Sequence, residues 1–254
     1  MERNNREGKV EMKITIIGGT GWLGGEIAFE AVNRGHEVVV VSRHPEDIKY
    51  TMTPDLLSLK ADAADAEELK EVVPDDTDVL VNSLIPDPFA HETFSDWCRN
   101  VIGCCKDKGI KRLVAIGDAC VFYITDQKTL KDTTFLTPMY REWFGEHERT
   151  HEIYVKETEL DWIEIAPGAK CLPDKQLKEY MIREDALCTL DPLVAELKTP
   201  DPDHYPFADS SYISTQDFAY AVLDEIEQER YKNTRICVAW KQKHEMYWEG
   251  EKQA

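Results

Sequence analysis

Lys13 to Gly24 reads KITIIGGTGWLG. The opening residues are rich in β-branched side chains and read as a strand. From Trp22 to about Asn33 the chain turns amphipathic, with Leu23, Ile27 and Ala31 on one face and Gly35 as a stop. Between the two lie glycines at 18, 19, 21 and 24, which satisfy G-x-x-G-x-x-G and, counted from Gly19, G-x-G-x-x-G. Each glycine has a mechanical use: a tight turn out of the strand, close approach of backbone to a pyrophosphate, and close packing of helix on strand. The helix start also offers unpaired N–H groups and a partial positive charge. Gly18, Gly19, Thr20, Gly21, Trp22, Leu23 and Gly24 are thus the candidate cradle for a dinucleotide. A glycine turn without a ligand is the alternative, and the strand–turn–helix setting favours the cradle.

The pattern repeats outward from this unit. HEVVVVSR, LLSLKAD, DVLVNSLI, KRLVAIG and DWIEIAPG read as further strands, and TRICVAW as a last one. The stretches between them have helical periodicity. Asp65 can cap one helix, with Glu68 completing a capping box. STQDFAYAVLDEIEQE forms another, with Phe218, Val222 and Ile226 inward. Near-continuous apolar strands alternating with helices predict an α/β fold, a Rossmann-like doubly wound parallel sheet covered on both faces. Residues 12–240 form a single domain in this reading. Prolines and charges at 169–212 predict a small C-terminal substrate lobe or lid, 241–254 a polar tail, and 1–11 a disordered leader with Met12 as an alternative start.

Composition narrows the function. With 254 residues and 42% hydrophobic content the chain can bury one sizeable core, and a net charge of −19 disfavours a sequence-independent grip on nucleic acid or an anionic membrane. A small-molecule partner is expected. No apolar run is long enough to span a bilayer, and MERNNREGKVE lacks the apolar segment of a secretory signal. The seven cysteines are odd in number and form no C-x-x-C pair, which predicts a reduced, cytoplasmic protein. Adjacent Cys104 and Cys105 lie in a stretch where Phe94, Trp97, Cys98, Val101, Ile102 and Cys105 recur at helical spacing, and packing explains them better than a redox pair.

The end of the second strand chooses between cofactors. About twenty residues past the loop, an NAD site carries a carboxylate for the ribose 2′-hydroxyl. Ser42, Arg43 and His44 stand there instead, and the Arg43 guanidinium suits a 2′-phosphate. NADP(H) is therefore expected over NAD(H); the alternative is a solvated surface arginine.

With GGTGWLG, SRHPED, Ala61–Asp62, EHERTHEIYVKETELDWIEIAPG and YISTQDFAYAVLDEIE in view, the chain resembles the atypical short-chain dehydrogenases over about Met12 to Trp240. It is most similar to the NAD(P)H-binding group that includes flavin reductase/biliverdin reductase B and the bacterial NADH-flavin reductases. The resemblance implies that Asp62 approaches the adenine, that Ser83 and Leu84 line the adenine-ribose side, and that Ile116, Gly117, Ala166 and Pro167 border the nicotinamide. The chain departs from the wider superfamily in having no Y-x-x-x-K pair, in which tyrosine moves the proton and lysine lowers its pKa. It departs from the flavin reductases in carrying Asp118 where they have serine and Gly168 where they have histidine. Ordinary alcohol dehydrogenation is not expected. The implied activity is NADPH-dependent reduction of a flavin, quinone or similar conjugated acceptor, which takes hydride directly and can draw its proton from water. The alternative is a catalytically inactive NADP(H) sensor of the NmrA type.

One motif points elsewhere. HERTH at 147–151 fits H-E-x-x-H, the zinc-protease pattern, with both histidines on one helical face and Glu148 as the would-be base. No H-x-x-G-x-x-H extension follows, and the segment leads straight into DWIEIAPG. In a doubly wound fold this helix packs on the sheet, with Tyr140, Trp143, Phe144, Tyr154, Val155 and both histidines inward, so no metal is expected. His147 is either a packed core residue or a group on the substrate side of the nicotinamide. Asp118 and His147 are the candidate catalytic residues.

Overall fold

The computed structural model describes residues 3–4, 10–48, 54–86, 93–132, 138–190 and 210–243. Two short strands, β1 (Arg3–Asn4) and β2 (Val10–Glu11), pair antiparallel, so part of the expected leader is engaged. Then come β3 (Lys13–Ile17), α1 (Trp22–Asn33), β4 (Glu37–Ser42), β5 (Leu56–Lys60), α2 (Ala66–Val72), β6 (Val79–Asn82), α3 (Phe94–Lys108) and β7 (Arg112–Ile116). After them come β8 (Tyr123–Thr125), β9 (Lys128–Thr129), α4 (Pro138–Val155), β10 (Asp161–Pro167), β11 (Lys170–Leu172), β12 (Tyr180–Glu184), β13 (Tyr212–Ser214), α5 (Thr215–Gln228) and β14 (Thr234–Trp240).

Eight strands form one sheet in the order β12-β14-β10-β7-β6-β3-β4-β5. All neighbours are parallel except the antiparallel edge strand β12. The order runs outward in both directions from β3 and β6, so a topological switch point opens between their carboxyl ends. One face is covered by α1 and α5, whose Ile27, Ala31, Phe218, Val222 and Ile226 are fully buried against Ile14, Ile16 and Val40. On the other face α2, α3 and α4 bury Leu69, Val101, Cys105 and Tyr154 against Leu80, Leu113 and Trp162.

Segment 169–212 is only partly a lobe. Its residues 180–184 extend the main sheet by pairing with β14, and 170–172 pair in parallel with β13; residues 191–209 and 244–254, and with them most of the polar tail, lie outside the described residues. Asp217, in the first turn of α5, ties this region down. Its carboxylate accepts from Leu177 N, from Lys178 N at 2.7 Å and from Trp240 Nε1 at 2.6 Å, and the residue is fully buried.

Two local expectations need correction. Asp65 does cap α2, accepting from Glu67 N and Glu68 N, but Glu68 closes no box on it. The Asp65 amide is already bonded to Asp62 O, so the Glu68 carboxylate takes Asp62 N instead. On α4, Tyr140 and Val155 face outward, 43% and 57% exposed. They sit in its first and last turns, beyond the stretch that meets the sheet.

Candidate functional site

A cleft of about 230 Å³ lies over the switch point. Its floor is the glycine turn, one wall is the end of β4 with Ser42, Arg43 and His44, and the other is the end of β6 with Ser83, Leu84 and Ile85.

Gly18 leaves β3 at φ +79°, a left-handed conformation, and a Cβ on it would stand 2.8 Å from Ser83 O. A Cβ on Gly24 would strike Gly18 O, so the first turn of α1 packs directly on the loop. Gly19 is close-packed against Val40, whereas Thr20 and Gly21 face the cleft. Gly21 caps α1 without a side-chain acceptor, and the first turn holds no acidic residue. The opening amides, those of Trp22, Leu23 and Gly24, lie before the first i→i−4 bond, which Gly25 N makes to Gly21 O. They are therefore free to take an anion. Trp22 is 59% exposed beside them.

At the rim, the Ser42 hydroxyl is buried without a hydrogen-bond partner. Arg43 is exposed and makes no hydrogen bond or ion pair among the described residues. Ser42 and Arg43 are the side chains that the end of β4 places at this rim. Asp62 lines the same cleft, accepting from Ala64 N through Oδ1. His44 and Asp47, from the stretch SRHPED, also line it, as do Ile85 and Trp97, which no motif marked. The glycine loop, Ser42, Arg43, Asp62, Ser83 and Leu84 are thus gathered at one place.

Ile116, Gly117, Ala166 and Pro167 stand at the carboxyl ends of β7 and β10, outside this cleft. The neighbouring strands join them, Gly117 N donating to Ile165 O. Asp118 follows, and its carboxylate caps a short 3-10 turn by accepting from Cys120 N at 2.7 Å.

Beneath these strand ends lies a buried polar cluster. Asn82, the last residue of β6, donates to Tyr154 Oη at 3.1 Å and to Cys98 Sγ at 3.4 Å. Burial, above all, pushes the Tyr154 phenol well up and the Cys98 thiol up to about 12. His147 is buried at 4% exposure, its ring edge-on to Phe94. His151 places Nδ1 2.7 Å from Oε2 of Glu164, a fully buried carboxylate on β10. Of the HERTH residues, His151 is engaged by Glu164, while Glu148 pairs with Lys131 at 3.1 Å. Among the described residues no group of three or more metal-binding side chains is assembled. Glu164 was overlooked in the sequence although a signal existed, a single acid inside the apolar run WIEIA.

Comparison with known proteins agrees with this geometry. A family profile described as NAD(P)H-binding matches residues 18–187. An uncharacterized protein of Bacillus subtilis, YwnB, is 28% identical over 232 residues, covering 89% of this chain and 98% of its own length. A solved structure from Bacteroides thetaiotaomicron, provisionally named an epimerase, superimposes with a TM-score of 0.77 at 26% identity, covering 92% of this chain and 100% of that one. Another, from Streptococcus pneumoniae and provisionally named an NADH-flavin reductase, has a TM-score of 0.68 at 21% identity, with 91% and 100% covered. No described helix is long and apolar enough to cross a membrane.

Proposed function

The chain belongs to the NAD(P)H-binding family, and from that premise we propose that it is an NADPH-dependent reductase passing hydride to a flavin, a quinone or a similar small conjugated acceptor. The preference for NADPH rests chiefly on one observation, the unpartnered Ser42 hydroxyl next to Arg43, where an NAD site would carry a carboxylate. When bound, the reduced nicotinamide supplies the hydride, so that the acceptor gains two electrons and needs one proton. The chain's own work is to hold the diphosphate on the first turn of α1 and to orient the ring over the ends of β6, β7 and β10. His147 is the group on the acceptor side: it is buried, and its ring makes no hydrogen bond among the described residues. Absence of Y-x-x-x-K and the S. pneumoniae neighbour's name support a conjugated acceptor over an alcohol.

Calorimetry with NADPH and NADH, followed by absorbance assays with FMN and menadione, tests the reading. Arg43→Ala should weaken NADPH about ten- to hundredfold, the worth of about 1.5–3 kcal/mol for a charged hydrogen bond, and leave NADH unchanged. Equal affinity of the unaltered protein for both dinucleotides refutes the NADPH preference.

A second reading, an NADP(H) sensor of the NmrA type, is favoured by the commitment of Asp118 to a cap on Cys120. Tight NADPH binding with no turnover of any acceptor selects it.

A further inference from the structure

A phosphate monoester carries a charge of about −1.5 to −2 at pH 7. Arg43 supplies one positive charge at the rim of the cleft, while the carboxylates of Asp47 and Asp62 line the same cleft and oppose an anion. One guanidinium is therefore too little to balance a phosphorylated ribose there. The side chain next to it in the lining is an imidazole, that of His44, which is 67% accessible.

The backbone fixes where this imidazole sits. β4 ends at Ser42, in register with Lys60 of β5, and the chain passes through His44 into a 3-10 turn, Pro45–Asp47. Ser58 Oγ on β5 donates to Pro45 O at 3.0 Å and Asp47 N donates to His44 O at 3.1 Å, so the turn is held to the sheet edge. His44 Nδ1 lies 3.5 Å from Oε1 of Glu46, and among the described residues Nε2 makes no hydrogen bond or ion pair. The charged groups around the ring are Arg43 on β4, Glu46 and Asp47 on the turn, Lys60 on β5, whose field reaches Glu46, and Asp62 after β5. Of these side-chain types, histidine is the one whose charge ordinarily changes between pH 5 and 8.

We propose that His44, when protonated, is the second cation of a 2′-phosphate site and makes the choice between the phosphorylated and unphosphorylated dinucleotide depend on pH. This rests on the NADPH reading of the cleft. Three consecutive residues supply the parts: the buried, unpartnered Ser42 hydroxyl, the Arg43 guanidinium and the His44 imidazole all line one wall. Glu46 is a positioning residue, which meets Nδ1 and leaves Nε2 to donate to a phosphate oxygen. As pH falls the ring gains a proton and the site gains attraction for the phosphorylated ribose; as pH rises that attraction is lost. A ribose with a free 2′-hydroxyl feels neither change. The 2′-phosphate itself takes up a proton near pH 6, which acts on every variant alike and cancels when variants are compared at one pH.

Calorimetry on the full chain with NADP⁺ and NAD⁺ at pH 6 and pH 8 tests this. His44→Asn should weaken NADP⁺ about five- to tenfold at pH 6 and less than about twofold at pH 8, and should leave NAD⁺ within about twofold at both. His44→Lys keeps its charge throughout, and at pH 8 it should bind NADP⁺ more tightly than the unaltered protein does. A ring that only packs against the turn would move both dinucleotides alike and show no dependence on pH. NADP⁺ bound no more tightly than NAD⁺ by the unaltered protein at either pH overturns the NADPH reading and this proposal with it. A preference for NADP⁺ that His44→Asn leaves intact, or lowers equally at both pH values, overturns the role of His44 alone. Should His44→Asn not fold, His44→Lys decides: no gain in NADP⁺ affinity at pH 8 overturns the proposal.

Discussion

Asp217→Ala removes one carboxylate and leaves three donors without their acceptor. Trp240 is 2% exposed, so its indole N–H has no route to water and bears the full penalty, about 1–3 kcal/mol. Leu177 and Lys178 are half-buried and exposed, and their amides can rehydrate, so each loses about 0.5–1.5 kcal/mol, the net value of an ordinary hydrogen bond. The total is about 2–6 kcal/mol. At about 2–4 °C per kcal/mol for a domain of this size, a loss of about 4 kcal/mol lowers Tm by about 8–16 °C. Asp217→Asn keeps an oxygen but turns an amide N–H₂ toward one of the donors, and should fall between the two. Urea denaturation at pH 7 measures the loss, and NADPH calorimetry at 20 °C checks its locality. Asp217 is absent from the lining of the cleft, so NADPH affinity of the folded variant should be unchanged. A loss below about 1 kcal/mol would refute the assignment of Asp217 as the tie between 173–178, α5 and β14.

Two further outcomes follow from the glycine turn and from the buried thiols. Gly24→Ala drives a Cβ into Gly18 O and must shift the loop; NADPH binding should weaken at least about tenfold by calorimetry, with a stability cost of about 1–3 kcal/mol, and unaltered binding would remove the loop from the site. Burial pushes Cys98 and Cys104 up to about 12 and about 11. The unfolded chain therefore releases these protons first. Stability is intact below about pH 9 and declines as pH rises toward the folded values, by about 3 kcal/mol at pH 10 for the two thiols together. Urea curves at pH 7, 9 and 10 show this, and a flat profile would contradict it.

The central sheet was legible because its strands are buried on both faces and so read as dense apolar and β-branched runs, Ile14–Ile17 with its single Thr15 and the all-valine Val38–Val41 above all. Helix α1 was legible to its last residue because glycine turns bracket it and one stripe of Leu23, Ile27 and Ala31 sets its phase. Pairings that depend on distant partners were not legible. Tyr180–Glu184 carries a polar end and no strict alternation, and becomes a strand only because β14 offers it an open edge. The Glu68 contact failed for a related reason: a capping box assumes an unbonded cap amide, and the turn from Asp62 had already satisfied it.

The candidate site divides along the same line. Gly18 to Gly24 could be read from the sequence because backbone geometry dictates residue type at each point, and a missing Cβ is visible in a sequence. His147 and His151 could be seen as a pair, but which partner each would meet depended on where α4 settles on the sheet. The histidines were weighed as zinc ligands, core residues or active-site groups, and the atom that meets His151 came from another element, the Glu164 carboxylate on β10. An acid in the middle of a doubly covered strand is too costly to be neutral in the argument. It must be answered by a cation, a donor or a proton, and on α4 the group that answers it is the His151 imidazole. Reading WIEIA as a demand for a partner, and not as four apolar residues with one exception, would have pointed to a histidine on α4 before any coordinates were known.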